Sequence, residues 1–298
     1  MSFVLTFIGN PADRSVDNQA VAAARQALQA RGATCGDPDW LAEGVACDLA
    51  FTGLDPGDAA VAVRAPLDRL PVDVAIQPDA GRRKRLLVAD MDSTIVSGET
   101  LDELAAEAGL EDRIAPITAR AMRGEIDFAQ AVRRRVAMLT GLPLGVLERS
   151  LTRLRLEAGA VALVRTMRAH GAHTVLVSGG FDFFTGRVRR MAGFDEDLAN
   201  RLKIRDGALT GGVVEPIFDR RGKADALRRI AGARGFSPAE TLAVGDGAND
   251  LEMIEAAGLG VAFRAKPMLA ARAQVRIDHG DLTAVLYLQG YRASEILA

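Results

Sequence analysis

Residues 86–94 read LLVADMDST, and this short stretch decides the fold class. Its first four residues are apolar, which is typical of a buried strand. The strand runs directly into Asp90, and a second carboxylate follows two positions later at Asp92. A buried strand that ends in closely spaced acidic residues predicts a polar site at its carboxyl end.

The same pattern occurs twice more along the chain. The apolar run Thr174–Val177 leads into Ser178-Gly179-Gly180, and Thr241–Val244 leads into the turn 245–250, which reads GDGAND. Helical segments separate these strands, which is typical of a parallel α/β sheet. Because ligands bind at the carboxyl ends of parallel strands, we expect the three polar ends to converge.

The residue types at these ends point to phosphoryl chemistry. Carboxylates dominate there, and hard oxygen ligands of this kind suit Mg²⁺; they are Asp90, Asp92, Asp246 and Asp250. Ser178, Lys223 and the N–H groups of glycine-rich turns suit phosphate oxygens. A carboxylate nucleophile, a metal and fixed cations together form a phosphoryl-transfer site.

Composition excludes several classes of protein. The chain has 298 residues, 49% hydrophobic and 26% charged, which argues against a disordered, collagen-like or coiled-coil protein. A net charge of −2 argues against a general nucleic-acid binder. Two cysteines, Cys35 and Cys47, do not make a disulfide framework. Without an apolar run of about 18 residues or a signal-peptide pattern, we expect no membrane association and a cytoplasmic protein.

The N-terminal part differs from the rest of the chain in its balance of charged residues. Residues 1–82 hold six Lys or Arg against 11 Asp or Glu, whereas residues 83–298 hold 31 against 28. Its apolar runs and helical patterns follow the order βαββαβ, which predicts a ferredoxin-like α+β unit. Turn residues and a basic run at Pro78–Arg85 predict the domain boundary. Further along, Leu209–Ile217, with Gly211-Gly212, suggests a hairpin.

Together the motifs identify a resemblance over about residues 84–298. The segments DMDST (90–94), SGG (178–180), Lys223 and GDGAND (245–250) resemble the four motifs of the haloacid dehalogenase (HAD) superfamily, in the expected order. The segment ETLDE (99–103), together with Phe128 and residues 133–136, also resembles the cap of phosphoserine phosphatases. Residues 281–290 resemble the C-terminal end of the bacterial members, and the N-terminal unit resembles the ACT-like domains often fused to them.

The resemblance implies an architecture and a reaction. The fold would be α/β, a HAD-like Rossmannoid parallel sheet in residues 83–298 with a helical C1-type cap inserted at about 99–160. Residues 1–82 would form the ACT-like domain. The reaction would be hydrolysis of O-phospho-L-serine to L-serine and phosphate through an aspartyl-phosphate, the last step of L-serine biosynthesis.

The resemblance also assigns the chemical roles. Asp90 would be the nucleophile, and Asp92 would be the general acid and then the general base. Asp90, the backbone carbonyl of Asp92 and Asp246 would hold Mg²⁺. A carboxyl group that acts as an acid near neutral pH needs a raised pKa, which the neighbouring Asp90 charge and the phosphate would favour.

Other residues would bind the phosphoryl group and the serine moiety. Ser178, Gly179 and Lys223 would hold the phosphoryl group, and Asn249 would help to position it. Asp250 would either orient Lys223 or complete the outer shell of the metal.

The serine-binding assignments leave alternatives. Glu99 would meet the substrate ammonium, although it also suits the positive end of a helix dipole. Arg135 would meet the carboxylate, but the run of three arginines leaves Arg134 as an alternative. Met122 and Phe128 would line the site from the cap or pack in its core.

Two other functions stay open at this point. Another small phosphomonoester, or a phosphotransferase reaction to an alcohol, would use the same motifs, because a fold does not fix a substrate. A regulatory amino-acid-binding protein would use the N-terminal unit as its effector site. A homodimer is the expected assembly.

Overall fold

The computed structural model describes residues 1–122 and 125–298, and in this part of the chain the strands form three sheets. The first sheet is antiparallel, and its strands run in the order β2-β4-β1-β5, with β3 also paired to β4. Its strands are β1 (Phe3–Gly9), β2 (Thr34–Cys35), β3 (Asp39–Ala42), β4 (Ala46–Thr52) and β5 (Val72–Pro78). The predicted order βαββαβ is therefore present, except that the second expected strand is divided into β2 and β3.

Two helices cover one face of this sheet, α1 (Asn18–Ala30) and α2 (Pro56–Leu67). The Asp17 carboxylate begins α1 by accepting a hydrogen bond from the backbone N–H of Ala20 (2.7 Å). Strand alternation decides which side chains meet the helices. Leu5 and Phe7 of β1 pack with α1 and α2, whereas Ile8 belongs to the core of the following unit.

The remaining strands form a six-stranded parallel sheet and a hairpin. The parallel sheet has the order β13-β12-β11-β6-β7-β8. The strands are β6 (Leu86–Asp90), β7 (His173–Phe181), β8 (Glu196–Asn200), β9 (Leu202–Arg205), β10 (Ala208–Val213), β11 (Thr241–Gly245), β12 (Leu259–Phe263) and β13 (Val275–Ile277). The chain moves from β6 outward to β8 and then returns to β11 on the other side of β6. The order therefore reverses between β6 and β11, which is where ligands bind in such sheets.

The predicted hairpin at Leu209–Ile217 is wrong in its position. Strand β9 pairs with β10, and the turn between them is Asp206-Gly207, both with positive φ. An Asp-Gly pair suits such a two-residue turn. Gly211 serves close packing instead, since a Cβ there would lie 1.9 Å from Thr140 Oγ1.

Helices surround the parallel sheet and cover one end of it. They are α3 (Thr100–Ala108), α4 (Glu111–Met122), α5 (Phe128–Met138), α6 (Leu144–Leu151), α7 (Ala160–Ala169), α8 (Asp182–Ala192), α9 (Arg220–Ala233), α10 (Leu251–Ala256), α11 (Pro267–Ala270) and α12 (Ala284–Leu288). Helices α3–α6 lie between β6 and β7 in the chain and form the cap. Among the described residues, no helix has the length and apolar character needed to cross a bilayer.

The first sheet and the parallel-sheet unit share a buried contact. Ile8, Val45 and Ala75 belong to the same apolar cluster as the residues around α12. Asp73 of β5, 6% exposed, accepts hydrogen bonds from the backbone N–H groups of residues 278–280 (2.8–3.2 Å). Arg82 pairs with Asp48 and also donates to the carbonyls of residues 287 and 288. These contacts hold the two parts of the chain together.

Candidate active site

Asp90 lies at the carboxyl end of the central strand β6, next to the reversal of strand order. It is the last residue of β6 and is 3% exposed. Asp246 follows the last residue of β11, the neighbouring strand on one side, and Ser178 lies on β7, the neighbour on the other. The three strand ends that the sequence predicts to converge do so here.

Lys223 is fully buried and neutralises the carboxylates at this point. Its ammonium donates to Asp90 Oδ1 (2.5 Å) and to Asp250 Oδ1 (2.7 Å). Burial alone would lower the pKa of Lys223, but the Asp250 and Asp90 carboxylates outweigh that effect and raise it. Burial, together with the charge of Asp250, raises the pKa of Asp90. The lysine therefore stays protonated and fixes one oxygen of Asp90.

The turn 245–250 holds Asp250 in place for this contact. Asp250 Oδ2 accepts hydrogen bonds from the backbone N–H groups of Asp246 (3.2 Å) and Gly247 (3.1 Å). Gly245 allows the approach, because a Cβ there would lie 2.5 Å from Asp250 Cγ. Asn249 lies half-buried in the same turn. Of the two roles expected for Asp250, the contacts support the orientation of Lys223.

The side chain of Asp92 contacts the start of the cap and β7. Its Oδ1 accepts a hydrogen bond from the backbone N–H of Thr100 (2.7 Å), and its Oδ2 accepts one from Ser178 Oγ (3.0 Å). Ser178 Oγ in turn accepts from the N–H of Gly180 (2.8 Å). Burial raises the pKa of the Asp92 carboxyl, while the Thr100 N–H opposes that rise. A carboxyl with a raised pKa is suited to donate a proton.

Three carboxylates lie close enough to share a metal ion. Asp90, Asp246 and Asp250 each offer one oxygen, and these atoms lie within 4.8 Å of one another. All three side chains are buried, and oxygen donors without nitrogen or sulfur fit Mg²⁺. The side chain of Asp92 is not in this group. The ligand that the resemblance implies at this position is the backbone carbonyl.

The cap brings further predicted residues to the same end of the sheet. Glu99, just before α3, accepts a hydrogen bond from Ser93 Oγ (3.1 Å). Phe128 of α5 packs over Gly179, since a Cβ on that glycine would lie 2.9 Å from Phe128 Cζ. The structure thus places Phe128 against residues 178–180 of β7; the side chain of Met122 lies outside the described residues.

Arg135 is the arginine of the run 133–135 that turns inward. It is half-buried and lies near the charges of Asp102 and Glu99, and burial lowers its pKa. Arg133 pairs with Glu215 at the surface (2.9 Å), and Arg134 is exposed. The geometry therefore favours Arg135 over Arg134 as the cation that faces the site.

Lys266 is a site residue that sequence reasoning missed. Its ammonium lies 3.1 Å from Asp246 Oδ2 and 3.7 Å from Glu99 Oε1. It follows β12, the next strand beyond β11, so its place after a strand end was the available signal. It is also one of four lysines in a chain with 37 basic residues.

Comparison with known proteins places the chain in a family. The model of the haloacid dehalogenase-like hydrolases matches residues 87–255. A phosphoserine phosphatase of Streptomyces coelicolor is 43% identical over 85% of this chain, and the chain spans 62% of that relative's length.

Two solved structures are similar to this one. A HAD-family hydrolase from Salmonella enterica serovar Typhi has a TM-score of 0.83 and 29% identity, over 96% of this chain and 98% of the other. A phosphoserine phosphatase described as a phospho-aspartyl intermediate analogue has a TM-score of 0.64 and 40% identity, over 69% of this chain and 98% of the other. The chain therefore belongs to the haloacid dehalogenase-like hydrolases.

Proposed function

We propose that the protein is a Mg²⁺-dependent phosphoserine phosphatase that hydrolyses O-phospho-L-serine to L-serine and phosphate. The observation that carries this proposal is the buried pair of Asp90 and Lys223 (2.5 Å) at the reversal of strand order, with Asp92 and Ser178 beside it. The similarity to phosphoserine phosphatases, one of them solved with an analogue of a phospho-aspartyl intermediate, supports the same reaction.

In the first step an Asp90 carboxylate oxygen attacks phosphorus. The bond between phosphorus and the seryl oxygen breaks, and the proton of Asp92 goes to that oxygen. Lys223 holds the other Asp90 oxygen, so the attacking carboxylate cannot rotate freely. Ser178 Oγ, which contacts Asp92 Oδ2 (3.0 Å), and the backbone N–H of Gly179 would bind phosphoryl oxygens.

In the second step water attacks the phosphorus of the aspartyl-phosphate. Asp92 now accepts the proton of that water, and the bond between phosphorus and the Asp90 oxygen breaks to release phosphate. Asp90, Asp246 and the backbone carbonyl of Asp92 would hold Mg²⁺, which, when bound, would offset the charge of the phosphoryl oxygens.

Two cap residues support phosphoserine as the substrate. Glu99 and Arg135 present one negative and one positive charge toward the site. This pair suits the ammonium and carboxylate groups of a zwitterionic amino acid, and a substrate without them leaves these charges unmatched. Since the enzyme acts on a soluble metabolite, we also propose a cytoplasmic location.

A panel of phosphomonoesters assayed with Mg²⁺ and with EDTA tests the proposal. We expect phosphoserine to be hydrolysed fastest, EDTA to stop turnover, and added Mg²⁺ to restore it. Equal rates on phosphoserine and on esters without an amino-acid group would contradict the substrate. Full activity in EDTA would contradict the metal.

We further propose that residues 1–82 form an ACT-like domain that binds an amino-acid effector, and that the protein is a homodimer. The strand order β2-β4-β1-β5, with two helices on one face of the sheet, supports the ACT-like domain. Calorimetric titration of the full chain with L-serine, the proposed product, should show a second binding event besides that at the active site, and a single event would contradict the effector site. Sedimentation of the full chain tests the dimer, which a monomer mass at all concentrations would contradict.

A further inference from the structure

Lys266 connects two carboxylates that the proposed function gives to two different cations. Asp246 would hold Mg²⁺, and Glu99 would receive the substrate ammonium. The Lys266 ammonium lies 3.1 Å from the first and 3.7 Å from the second. A cation of the protein itself therefore lies at the place where both ligands bring positive charge.

The backbone fixes Lys266 against the metal-binding turn. Its N–H donates to the carbonyl of Asp246 (2.8 Å), so residue 266 contacts residue 246 through both backbone and side chain. Its own carbonyl accepts hydrogen bonds from Leu269 and Ala270 (3.1 Å each) and begins α11. None of these backbone contacts needs the ammonium group, so the side chain can be replaced without removing them.

The side chain of Lys266 can leave the site, in contrast to that of Lys223. Its exposed fraction is 53%, whereas Lys223 is 0% exposed and enclosed between two carboxylates. A lysine is a flexible stem with a compact charge, while an arginine would grip a carboxylate with two donors. In a chain with 33 arginines among its basic residues, a lysine at this position suits a contact that must be released.

We propose that Lys266 is a positioning residue that neutralises Asp246 and Glu99 before ligands bind and then yields to Mg²⁺ and the substrate ammonium. This inference rests on the proposed function. Without Lys266, Asp246 and Glu99 would lose the cation that lies next to both of them. With it, each ligand must compete with an internal cation, and we expect both ligands to bind more weakly than the carboxylates alone would allow.

Calorimetric titration with Mg²⁺ tests the first half of this competition. We expect Lys266→Gln to bind Mg²⁺ about threefold to fivefold more tightly than the wild type, the scale of a partly exposed ion pair. Lys266→Arg keeps the charge and should bind no more tightly than the wild type. Lys203→Gln removes one charge from the exposed strand β9 and controls for net charge. Circular dichroism checks that each variant is folded.

The outcomes separate this inference from the proposed function. If the wild type binds Mg²⁺ but Lys266→Gln binds it equally or more weakly, the role of Lys266 is wrong and the metal site stands. If the wild type binds no Mg²⁺, the metal-dependent function fails, and the inference fails with it. An Lys203→Gln effect equal to that of Lys266→Gln would reduce the result to net charge and also overturn the inference.

Substrate binding tests the second half, at saturating Mg²⁺. We expect Lys266→Gln to lower the KM for O-phospho-L-serine about threefold, because Glu99 is then free for the substrate ammonium. Inorganic phosphate has no ammonium group, so its inhibition constant should not fall. A KM that is unchanged or raised, or an inhibition constant for phosphate that falls as much as the KM, would contradict competition at Glu99.

Discussion

Lys223 shows how a single buried residue determines the state of the whole site. Its ammonium is fully enclosed and contacts Asp90 and Asp250 at hydrogen-bond distance. Removing one partner of a buried charge group leaves the others without compensation, which costs far more than losing a surface ion pair. The catalytic arrangement and the stability of the core therefore depend on the same contact.

We expect Lys223→Met to lower the free energy of unfolding by about 3–5 kcal/mol. Urea denaturation followed by circular dichroism measures this loss. Adding Asp250→Asn should recover part of it, because one uncompensated carboxylate is then gone. Lys203→Met, at an exposed position of β9, should change the unfolding free energy by less than about 0.5 kcal/mol. A loss below about 1 kcal/mol for Lys223→Met would contradict the pairing.

Much of the site could be predicted at this scale, but not all of it. Asp90, Ser178 and Asp246 could be placed because each follows an apolar run that predicts a strand of a parallel sheet. The position of Lys266 after a strand end is a signal that is too weak to place it, because one lysine after a strand has no spacing that distinguishes it from a surface residue. Its role depends on contacts with Asp246 and Glu99 that only the fold creates.

Helix α5 decides which of three consecutive arginines turns inward. Its buried residues are Ala131, Val132 and Val136, and they define its inner face. Consecutive residues are about 100° apart on a helix, so a run of three arginines spans about 200° of its circumference. The sequence alone does not decide whether Arg134 or Arg135 turns inward, because it does not show which face of α5 packs against the rest of the protein.

We expect Arg135→Met to raise the KM for O-phospho-L-serine about tenfold, since a charge-assisted contact to the substrate carboxylate is lost. Phosphoethanolamine has no carboxylate, and its KM should change by less than about twofold. Steady-state kinetics on both substrates gives the comparison, and Arg134→Met is the matched control on the exposed side. An equal change in KM for both substrates would contradict the role of Arg135.

The hairpin β9–β10 shows why glycines alone mislead the prediction of turns. Gly211-Gly212 was expected to form the turn, but the turn is Asp206-Gly207. Gly211 instead lets β10 approach the end of α5 at Thr140. The sequence does not distinguish a glycine needed for close packing from one needed for a turn. The neighbouring residues that the fold brings against the glycine make the distinction.

Polar contacts between distant parts of the chain add to the apolar contact that joins the two units of the molecule. Asp73 accepts hydrogen bonds from the backbone N–H groups of residues 278–280, and Arg82 donates hydrogen bonds to the carbonyls of residues 287 and 288. The sequence predicted a boundary near residue 82, and the first sheet does end at Pro78. It did not predict these contacts, since more than 200 positions separate the partners in the chain.

We expect Asp73→Ala to lower the free energy of unfolding by about 2 kcal/mol, because three backbone N–H groups, that of buried Gly280 among them, lose their acceptor. Chemical denaturation of the full chain measures the difference. Asp79→Ala is the matched control, since Asp79 is exposed just beyond the end of β5. If both variants lose the same small amount of unfolding free energy, Asp73 does not stabilise the protein through its contact with the other unit.

The rate of phosphate release from O-phospho-L-serine by Asp90→Asn tests the central claim most directly. With saturating Mg²⁺ and a circular dichroism spectrum equal to that of the wild type, we predict a loss of at least about a thousandfold, because an amide is a poor nucleophile in this position. Phosphate release within about tenfold of the wild-type rate would contradict Asp90 as the nucleophile and, with it, the proposed reaction.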